Sequence, residues 1–279
     1  MSSTEWNAAD RDSSGWSANA YNSAAHFVYS AKNTANVLGL LYAKPGERIV
    51  DFGCGSGEVT IELVKAVGES GKIAAADVSS SMIDKASKNT GLPSSHLIVG
   101  DLQDPATIDK FPSEFIGHTD KVFTTATLHW CKRDPKAVLE GAAKLLRPGG
   151  IVVGEMGGAG NIETVRMALH SALKNHNIDP EPRDPWFFPS DTEYAKVIQS
   201  AGLKPLSVSL HPRPTPAHSV PDWIRTFAGH NLLEGLSEED EKAVVEEATR
   251  EVQSKLVQDE EGKWPLDYVR LRFVAVKEA

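Results

Sequence analysis

The sequence predicts an α/β fold with a doubly wound sheet of seven strands, mostly parallel and with an antiparallel last strand. Short apolar runs rich in β-branched residues alternate with segments of helical periodicity, a pattern typical of strands joined by crossover helices. The first strand, 49–52, is joined to a helix, 58–67, by three glycines at every second position. The remaining predicted strands are 72–76, 97–99, 120–125, 151–156, 206–210 and 269–276.

Gly53, Gly55 and Gly57 form the predicted turn between the first strand and its helix. Glycine accepts positive φ and has no Cβ, so the backbone there can closely approach a bound nucleotide or nucleoside. A dinucleotide site would have a further glycine three residues after Gly55, where this chain has Glu58. Asp51 would repel a pyrophosphate and is better suited to a ligand with an ammonium group.

Acidic residues end the second and third predicted strands. Asp77 follows Gly57 by twenty residues, and a carboxylate at the tip of the second strand accepts hydrogen bonds from a ribose diol. Gly100, Asp101 and Leu102 follow the third strand in the same way. The sequence therefore predicts a nucleoside site at the carboxyl ends of these strands.

The chain resembles the class I S-adenosylmethionine-dependent methyltransferases, which have a Rossmann-like fold. The resemblance is carried by the run 50–57, by Asp77, by the Gly100–Asp101 pair and by the segment 146–150, in the order and spacing of that family over roughly residues 45–156. It implies S-adenosylmethionine as cofactor, S-adenosylhomocysteine as product and no metal. The cofactor-binding residues that it implies are Tyr21, Asp51, Gly53, Gly55, Gly57, Asp77, Met82, Asp101, Leu102 and Thr125. A core position is the alternative for Met82.

Composition limits the partners and the compartment that we expect. The 279 residues carry a net charge of −9, which argues against a nucleic-acid partner because phosphate binding needs a basic face. Cys54 and Cys131 give no disulfide framework. No signal peptide or long apolar run is recognised. We expect a cytoplasmic protein that binds a small-molecule substrate and no membrane, as a monomer or weak homodimer.

The expected organisation is a disordered tail, 1–15, and a single domain, 16–279. The core of that domain is assigned to about 44–160, 190–211 and 266–277. A helical cap is assigned to about 16–43, 161–189 and 212–265, and its last part is inserted before the final strand. Such a cap would cover the carboxyl-end rim of the sheet and exclude water. Trp16 and Tyr21 have two equally weighted interpretations, as an anchor for the helix 23–42 or as a lid over the cofactor.

His129 is the candidate catalytic residue. It follows the fourth strand, so it is expected beside the transferable methyl group. A histidine there can be a general base, or it can simply orient the substrate or fill space. Transfer to an oxygen that is already ionised needs no base, because proximity and orientation supply most of the rate.

The C-terminal half resembles trans-aconitate methyltransferase and its relatives. The segments 126–130, 222–226, 261–264 and 270–275 carry this resemblance. It implies esterification of a carboxylate of a small polyacid. Such a substrate demands cationic groups in its binding pocket. The candidate cations are Arg183, Arg213, Arg225 and Arg270, and the candidate substrate residues are Trp16, His129, Trp130, Met156, Trp186, Trp223 and Arg225.

Alternatives to a polyacid as the substrate, and to a catalytic function, stay open. That family usually has Gln where this chain has His129, and the loop 186–188 is aromatic, features that equally suit a larger, less charged metabolite acceptor. A binding protein without catalysis is a second class, and a nicotinamide-dependent oxidoreductase is a third. Glu58 at the third-glycine position argues against the oxidoreductase.

Overall fold

The structure is a computed structural model that describes residues 31–279. The predicted tail 1–15, the residues Trp16 and Tyr21, and the first part of the predicted helix 23–42 lie outside the described residues. Within the described residues, no helix combines the length and the apolarity needed to cross a membrane.

Seven strands form one sheet in the order β3-β2-β1-β4-β5-β9-β6. Every neighbouring pair from β3 to β5 is parallel, and β9 is antiparallel to both β5 and β6. The predicted mostly parallel sheet with an antiparallel last strand is therefore confirmed. The strands are β1 (Arg48–Phe52), β2 (Lys72–Asp77), β3 (Leu97–Val99), β4 (Thr119–Thr125), β5 (Leu146–Gly157), β6 (Lys204–Pro212) and β9 (Val269–Val276).

Helices cover both faces of this sheet because its central strands are apolar on both sides. In β1, Ile49 packs with the helices Ala31–Leu41 and Glu58–Val67, whereas its neighbour Val50 packs with the helices Pro135–Leu145 and Asp191–Ser200. A strand buried on both faces reads as a continuous apolar run rather than an alternating one. The helices of these layers are α1 (Ala31–Leu41), α2 (Glu58–Val67), α3 (Ser80–Thr90), α4 (Pro105–Ile108), α5 (Pro135–Leu145) and α7 (Asp191–Ser200).

The remaining elements build a second hydrophobic core beyond the carboxyl ends of the strands. We call this unit the cap. Its helices are α6 (Glu163–Asn175), α8 (Val220–Ala228) and α9 (Glu238–Lys255). A ribbon of two antiparallel strands, β7 (Thr215–Ala217) and β8 (Trp264–Leu266), accompanies them. Buried residues such as Leu169, Ile224 and Val244 pack together in this core, so two chain segments that are distant in sequence fold against each other.

The third glycine of the turn serves helix packing. Gly57 precedes α2 with φ +90°, and a Cβ on it would lie 2.8 Å from Cγ2 of Thr90 and 3.2 Å from Cα of Ala86, both in α3. The dinucleotide fingerprint uses its third glycine for close helix packing. Here the close helix contact lies one residue earlier, at Gly57, and Glu58 is the first residue of the helix Glu58–Val67.

We predict that Gly57→Ala destabilises the fold more than Gly91→Ala does. Both glycines have positive φ, but a Cβ on Gly91 would meet open space. Gly91→Ala, the control, should therefore lower the free energy of unfolding only by the cost of a left-handed backbone, about 1–2 kcal/mol. Gly57→Ala should lower it by about 1–3 kcal/mol more, because the new Cβ overpacks the contact with α3. Urea denaturation of the unliganded variants measures both. Equal losses of stability in the two variants would show that α3 moves to accommodate a Cβ at position 57.

Candidate functional site

A cleft of about 270 Å³ opens at the carboxyl ends of β1, β2 and β4. Strand order reverses between β1 and β4, and doubly wound sheets bind ligands at that point. We call it the switch-point cleft. Seven of the predicted cofactor residues line it, namely Gly53, Gly55, Asp77, Met82, Asp101, Leu102 and Thr125. Asp51 and Gly57 are not among its lining residues, and Tyr21 lies outside the part of the chain that the structure describes.

The glycine turn is held tightly against β2 and the segment after β4. The N–H groups of Gly53 and Cys54 both donate to the carbonyl of Ala76, at 2.8 and 3.1 Å. Gly53 has φ +75°, and a Cβ on it would lie 2.1 Å from the Thr127 side chain. Thr127 in turn donates its hydroxyl to the carbonyl of Gly53 at 3.2 Å. Glycine at 53 is thus required by the close approach of Thr127.

Asp77 joins the glycine turn to the start of α3. Its Oδ2 accepts from the Gly55 N–H at 2.9 Å, and its Oδ1 accepts from the Ser79 N–H at 3.0 Å. Asp77 is therefore fixed in place, at the edge of the cleft where the sequence predicts a ribose acceptor.

The other side of the switch-point cleft combines apolar side chains with a second fixed carboxylate. Met82 and Leu102 are 4% and 5% exposed. Asp101 accepts from the Gln103 N–H at 2.8 Å and pairs with Arg133 at 2.8 Å. Burial raises the pKa of the Cys131 thiol, which also lines the cleft, to about 12. The thiol stays protonated, so it is no candidate nucleophile.

Asp51 lies behind the glycine turn, buried at 2% exposure. Its Oδ2 accepts from the Thr60 hydroxyl at 2.7 Å. Burial raises the pKa of this carboxyl, the hydrogen bond from Thr60 lowers it and the charge of Asp77 raises it, so that the pKa lies at about 7. The carboxyl of Asp51 therefore titrates near neutral pH.

A second, smaller cavity lies between the switch-point cleft and the cap. Its volume is about 30 Å³, and Ala126 and Trp130 line both spaces. We call it the aromatic cavity, because six of its eleven lining residues are Trp, Phe or Tyr. Those eleven are Ala126, His129, Trp130, Asn161, Ile162, Trp186, Phe188, Trp223, Phe227, Tyr268 and Arg270.

The rings of the aromatic cavity hold one another in place. Trp186 and Phe188 are stacked at 12° with centroids 6.0 Å apart. Trp223 packs on Phe227 at 4.8 Å and donates its indole N–H to the Tyr268 hydroxyl at 2.8 Å. The orientation of Trp223 is thus fixed by a hydrogen bond as well as by ring packing.

His129 is a neutral wall residue of the aromatic cavity. It is 7% exposed, and its Nδ1 accepts from the Gly157 N–H at 3.3 Å. Burial and, less strongly, the charge of Arg270 lower the pKa of its imidazole to about 3. With Nδ1 as acceptor, the hydrogen-bond pattern assigns the proton of the neutral ring to Nε2. The imidazole therefore donates from Nε2 and accepts a proton only in strong acid.

The structure brings one of the four predicted cations to the aromatic cavity. Arg270 is 3% exposed, with its guanidinium carbon 4.7 Å from the centroid of the Tyr268 ring. Arg213 pairs with the buried Glu155 at 3.1 Å. Arg183 is directed to the carbonyl of Glu234.

Two predicted substrate residues are not brought to the aromatic cavity. Arg225 lies on the outer side of α8, 3.8 Å from Asp222 and 3.9 Å from Glu241. Met156 is 1% exposed and packs in the core below α5 and α7. Side chains alternate along a strand, so Met156 faces away from the side of the sheet to which Glu155 points. Both placements correct the expected ones.

A buried carboxylate fixes the aromatic loop 186–188, which forms part of the cavity wall. Asp184 accepts from Arg166 at 2.5 Å, from His170 at 2.9 Å and from the Trp186 N–H at 2.9 Å. The Phe187 N–H donates to the carbonyl of His129 at 2.8 Å. Sequence reasoning found the aromatic loop but missed Asp184, Phe227 and Tyr268, because their roles depend on contacts across the cap.

Comparison with known proteins agrees with this arrangement. The profile of the family described as "Methyltransferase domain" matches residues 49–150. An uncharacterised methyltransferase of Schizosaccharomyces pombe is 35% identical over 273 residues, which cover 94% of this chain and 98% of that protein. The demethylmenaquinone methyltransferase of Desulfitobacterium hafniense is 33% identical over 115 residues, 40% of this chain and 42% of that protein.

Solved structures support the fold. A chain from Bacillus halodurans C-125 superposes with a TM-score of 0.60 at 14% identity, covering 89% of this chain and 100% of that one. The phosphoethanolamine N-methyltransferase 2 of Haemonchus contortus, solved with phosphomonomethylethanolamine and S-adenosylhomocysteine, gives a TM-score of 0.53 at 14% identity. That alignment covers 94% of this chain and 57% of that one.

We predict that the stability of the unliganded protein falls with rising pH through Asp51 and that Asp51→Asn removes this dependence. The folded pKa lies above the ordinary 3.8, so Asp51 contributes full stability below about pH 4 and loses it as pH rises through about 7. A rise from 3.8 to about 7 corresponds to roughly 4 kcal/mol. Relative to the wild type, Asp51→Asn should therefore gain about 2–3 kcal/mol between pH 5 and pH 8.

Urea denaturation at the two pH values measures this difference. Asp84→Asn is the matched control, because Asp84 is an exposed aspartate on α3. A stability difference between Asp51→Asn and the wild type that is equal at pH 5 and pH 8 would contradict a neutral Asp51 in the fold.

Proposed function

The chain belongs to the S-adenosylmethionine-dependent methyltransferases, and we propose that it esterifies a carboxylate of a small molecule, as trans-aconitate methyltransferases do. The observation that carries the proposal is the buried Arg270 in a cavity that shares Ala126 and Trp130 with the switch-point cleft. A guanidinium in such a place is suited to a carboxylate, which it can bind through two parallel hydrogen bonds. We further propose that the protein acts in the cytoplasm as a monomer or weak homodimer.

The residues of the switch-point cleft fit S-adenosylmethionine, which supplies an electrophilic methyl group when bound. The turn at Gly53 and Gly55 lets backbone approach the ligand, and Asp77 is positioned to accept from ribose hydroxyls. Met82 and Leu102 offer apolar surface for a flat base. The carboxylate of Asp77 in the cleft wall favours a cationic ligand.

Within this proposal the aromatic cavity orients the acceptor and excludes water. A carboxylate is ionised at neutral pH, so esterification requires no proton removal from it. The neutral His129, whose Nε2–H is a donor, then binds and orients one acceptor oxygen, and the guanidinium of Arg270 lies in the same cavity wall. Holding a nucleophile beside an electrophile in a fixed geometry can supply most of the rate.

A larger and less charged acceptor is the second candidate. It is favoured by the ring wall of the cavity, in which Trp186, Phe188 and Trp223 offer apolar surface. With such an acceptor, transfer to a neutral hydroxyl, thiol or amine would require a base. The pKa of about 3 for the His129 imidazole disfavours it in that role, because proton transfer is efficient when the pKa lies near the working pH.

We predict that the protein converts small carboxylic acids to methyl esters with methyl-labelled S-adenosylmethionine. Esters release labelled methanol in mild base, whereas ethers and methylamines do not, so base treatment of the product identifies the acceptor atom. Base-stable products would contradict carboxylate transfer.

We predict that Asp77→Ala raises the dissociation constant of S-adenosylhomocysteine by 5- to 150-fold, a loss of about 1–3 kcal/mol. An unchanged dissociation constant would reject the ribose role of Asp77.

We also predict that His129→Asn lowers the kcat/KM of the acceptor by about 10- to 100-fold, the worth of one hydrogen bond to a charged group. The loss should be equal from pH 6 to pH 9, because an orienting group has no titration in that range. A deficit that shrinks as pH rises would identify a general base instead. His118→Asn is the control, since His118 is exposed and precedes β4 at the opposite end of the sheet.

A further inference from the structure

We infer that Asn231, a residue of the cap, donates a hydrogen bond from its side-chain amide to bound S-adenosylmethionine. Neither the sequence motifs nor the family resemblance assigns a cofactor contact to the segment after α8. The inference concerns the cofactor, so it does not depend on the acceptor that the proposed function assigns. It follows from the position of Asn231, from the hydrogen bonds of this residue and from the packing that holds it.

The cap supplies part of the wall of the switch-point cleft. Pro185, His230 and Asn231 line the cleft, and its other described lining residues lie between positions 53 and 131. Those positions fall within the segment 49–150 that the methyltransferase profile matches. None of the three cap residues is among the described lining residues of the aromatic cavity. The ligand that they face is therefore the ligand of the cleft, which is the cofactor.

The side chain of Asn231 carries a donor that the described part of the fold does not satisfy. Its Nδ2 is buried and has no hydrogen-bond partner within residues 31–279. The backbone of Asn231 is satisfied, because its N–H donates to the carbonyl of Ala228 and its carbonyl accepts from the Glu234 N–H, both at 3.2 Å. A buried donor without a partner is costly and calls for an explanation. S-adenosylmethionine offers acceptors in its carboxylate, its ribose hydroxyls and its adenine nitrogens, and a hydrogen bond to one of them satisfies Nδ2.

Apolar packing holds Asn231 in place on both sides. Leu232 and Leu233, which follow it directly, are 0% and 2% exposed in the hydrophobic core of the cap. The ring of His230 lies against Trp130, which follows β4, with centroids 6.0 Å apart and planes at 33°. The turn that carries Asn231 is thus anchored in the cap and contacts the segment beside the sheet. A donor that is positioned before the ligand arrives costs little ordering on binding.

Calorimetric titration with S-adenosylhomocysteine tests the inference on Asn231→Leu, which removes the amide and keeps a side chain of similar shape. We expect the dissociation constant to rise by roughly 3- to 10-fold, the worth of one neutral hydrogen bond. Urea denaturation of the unliganded variant should give a midpoint no lower than that of the wild type, because the change removes a buried, unsatisfied donor. A residue with a purely structural role would lower the midpoint instead.

Two further variants complete the test. Asn231→Ala removes the amide with a smaller side chain, so a similar rise in its dissociation constant shows that the leucine does not act by blocking the ligand. Asn175→Leu is the matched control and should leave the dissociation constant unchanged. Asn175 is exposed on α6 and is not among the described lining residues of either space.

An unchanged dissociation constant in both Asn231 variants overturns the inference, and so does a rise confined to Asn231→Leu. The titration requires no acceptor, so neither result bears on carboxylate methylation. Failure of the proposed function would appear separately, as base-stable methylated products from a protein that binds S-adenosylhomocysteine.

Discussion

The hydrogen bond from the Gly55 N–H to the Asp77 carboxylate, at 2.9 Å, is the constraint on which the switch-point cleft depends. It ties the turn after β1 to the end of β2, and the same carboxylate accepts from Ser79 at the start of α3. Thr127 closes the turn from the β4 side, where only glycine fits at position 53. The carboxyl ends of β1, β2 and β4 are thus held together at the switch-point cleft.

The cap depends on a comparable device, the buried carboxylate of Asp184. It holds the loop 186–188 through the Trp186 N–H, while the Phe187 N–H binds the carbonyl of His129. Because His129 follows β4, this second contact joins the cap loop to the sheet. A shift of the loop would therefore move the wall of the aromatic cavity and the segment beside the cleft together. Trp130 lines both spaces.

The sheet could be predicted from sequence because its signals are local. Apolar β-branched runs, glycine turns and helix caps fix where strands begin and end, and an acidic residue at the end of β2 marks the site edge. The direction of a side chain from a strand is harder to predict. Met156 was expected in the substrate site, but its place in the alternation of β5 points it into the core. Arg270 was one of four equivalent cations, and only the packing of β9 against the cap distinguishes it.

Roles that depend on contacts between distant segments could not be predicted. Asp184 reads as a loop aspartate, and its burial by Arg166 and His170 requires α6 to be placed first. Gly57 belongs to the turn motif, yet the structure uses it for the contact between α2 and α3. The resemblance of the sequence to a family did not separate these roles either, because a motif identifies positions without stating which neighbour each one serves.

Charged residues line both spaces. Asp77 and Asp101 lie in the wall of the switch-point cleft, Arg270 lies in the wall of the aromatic cavity, and Ala126 and Trp130 lie at their boundary. The buried groups nearby are largely neutral near pH 7, since burial opposes the charged forms of the His129 imidazole and the Cys131 thiol. Under the proposed function, methyl transfer joins a cationic donor to an anionic acceptor, so both charges disappear. Such a reaction is favoured where water is excluded, because the low dielectric strengthens the attraction between the two ions and disfavours keeping them apart. The switch-point cleft and the aromatic cavity, which share Ala126 and Trp130, are the places to which the proposed function assigns these two ions.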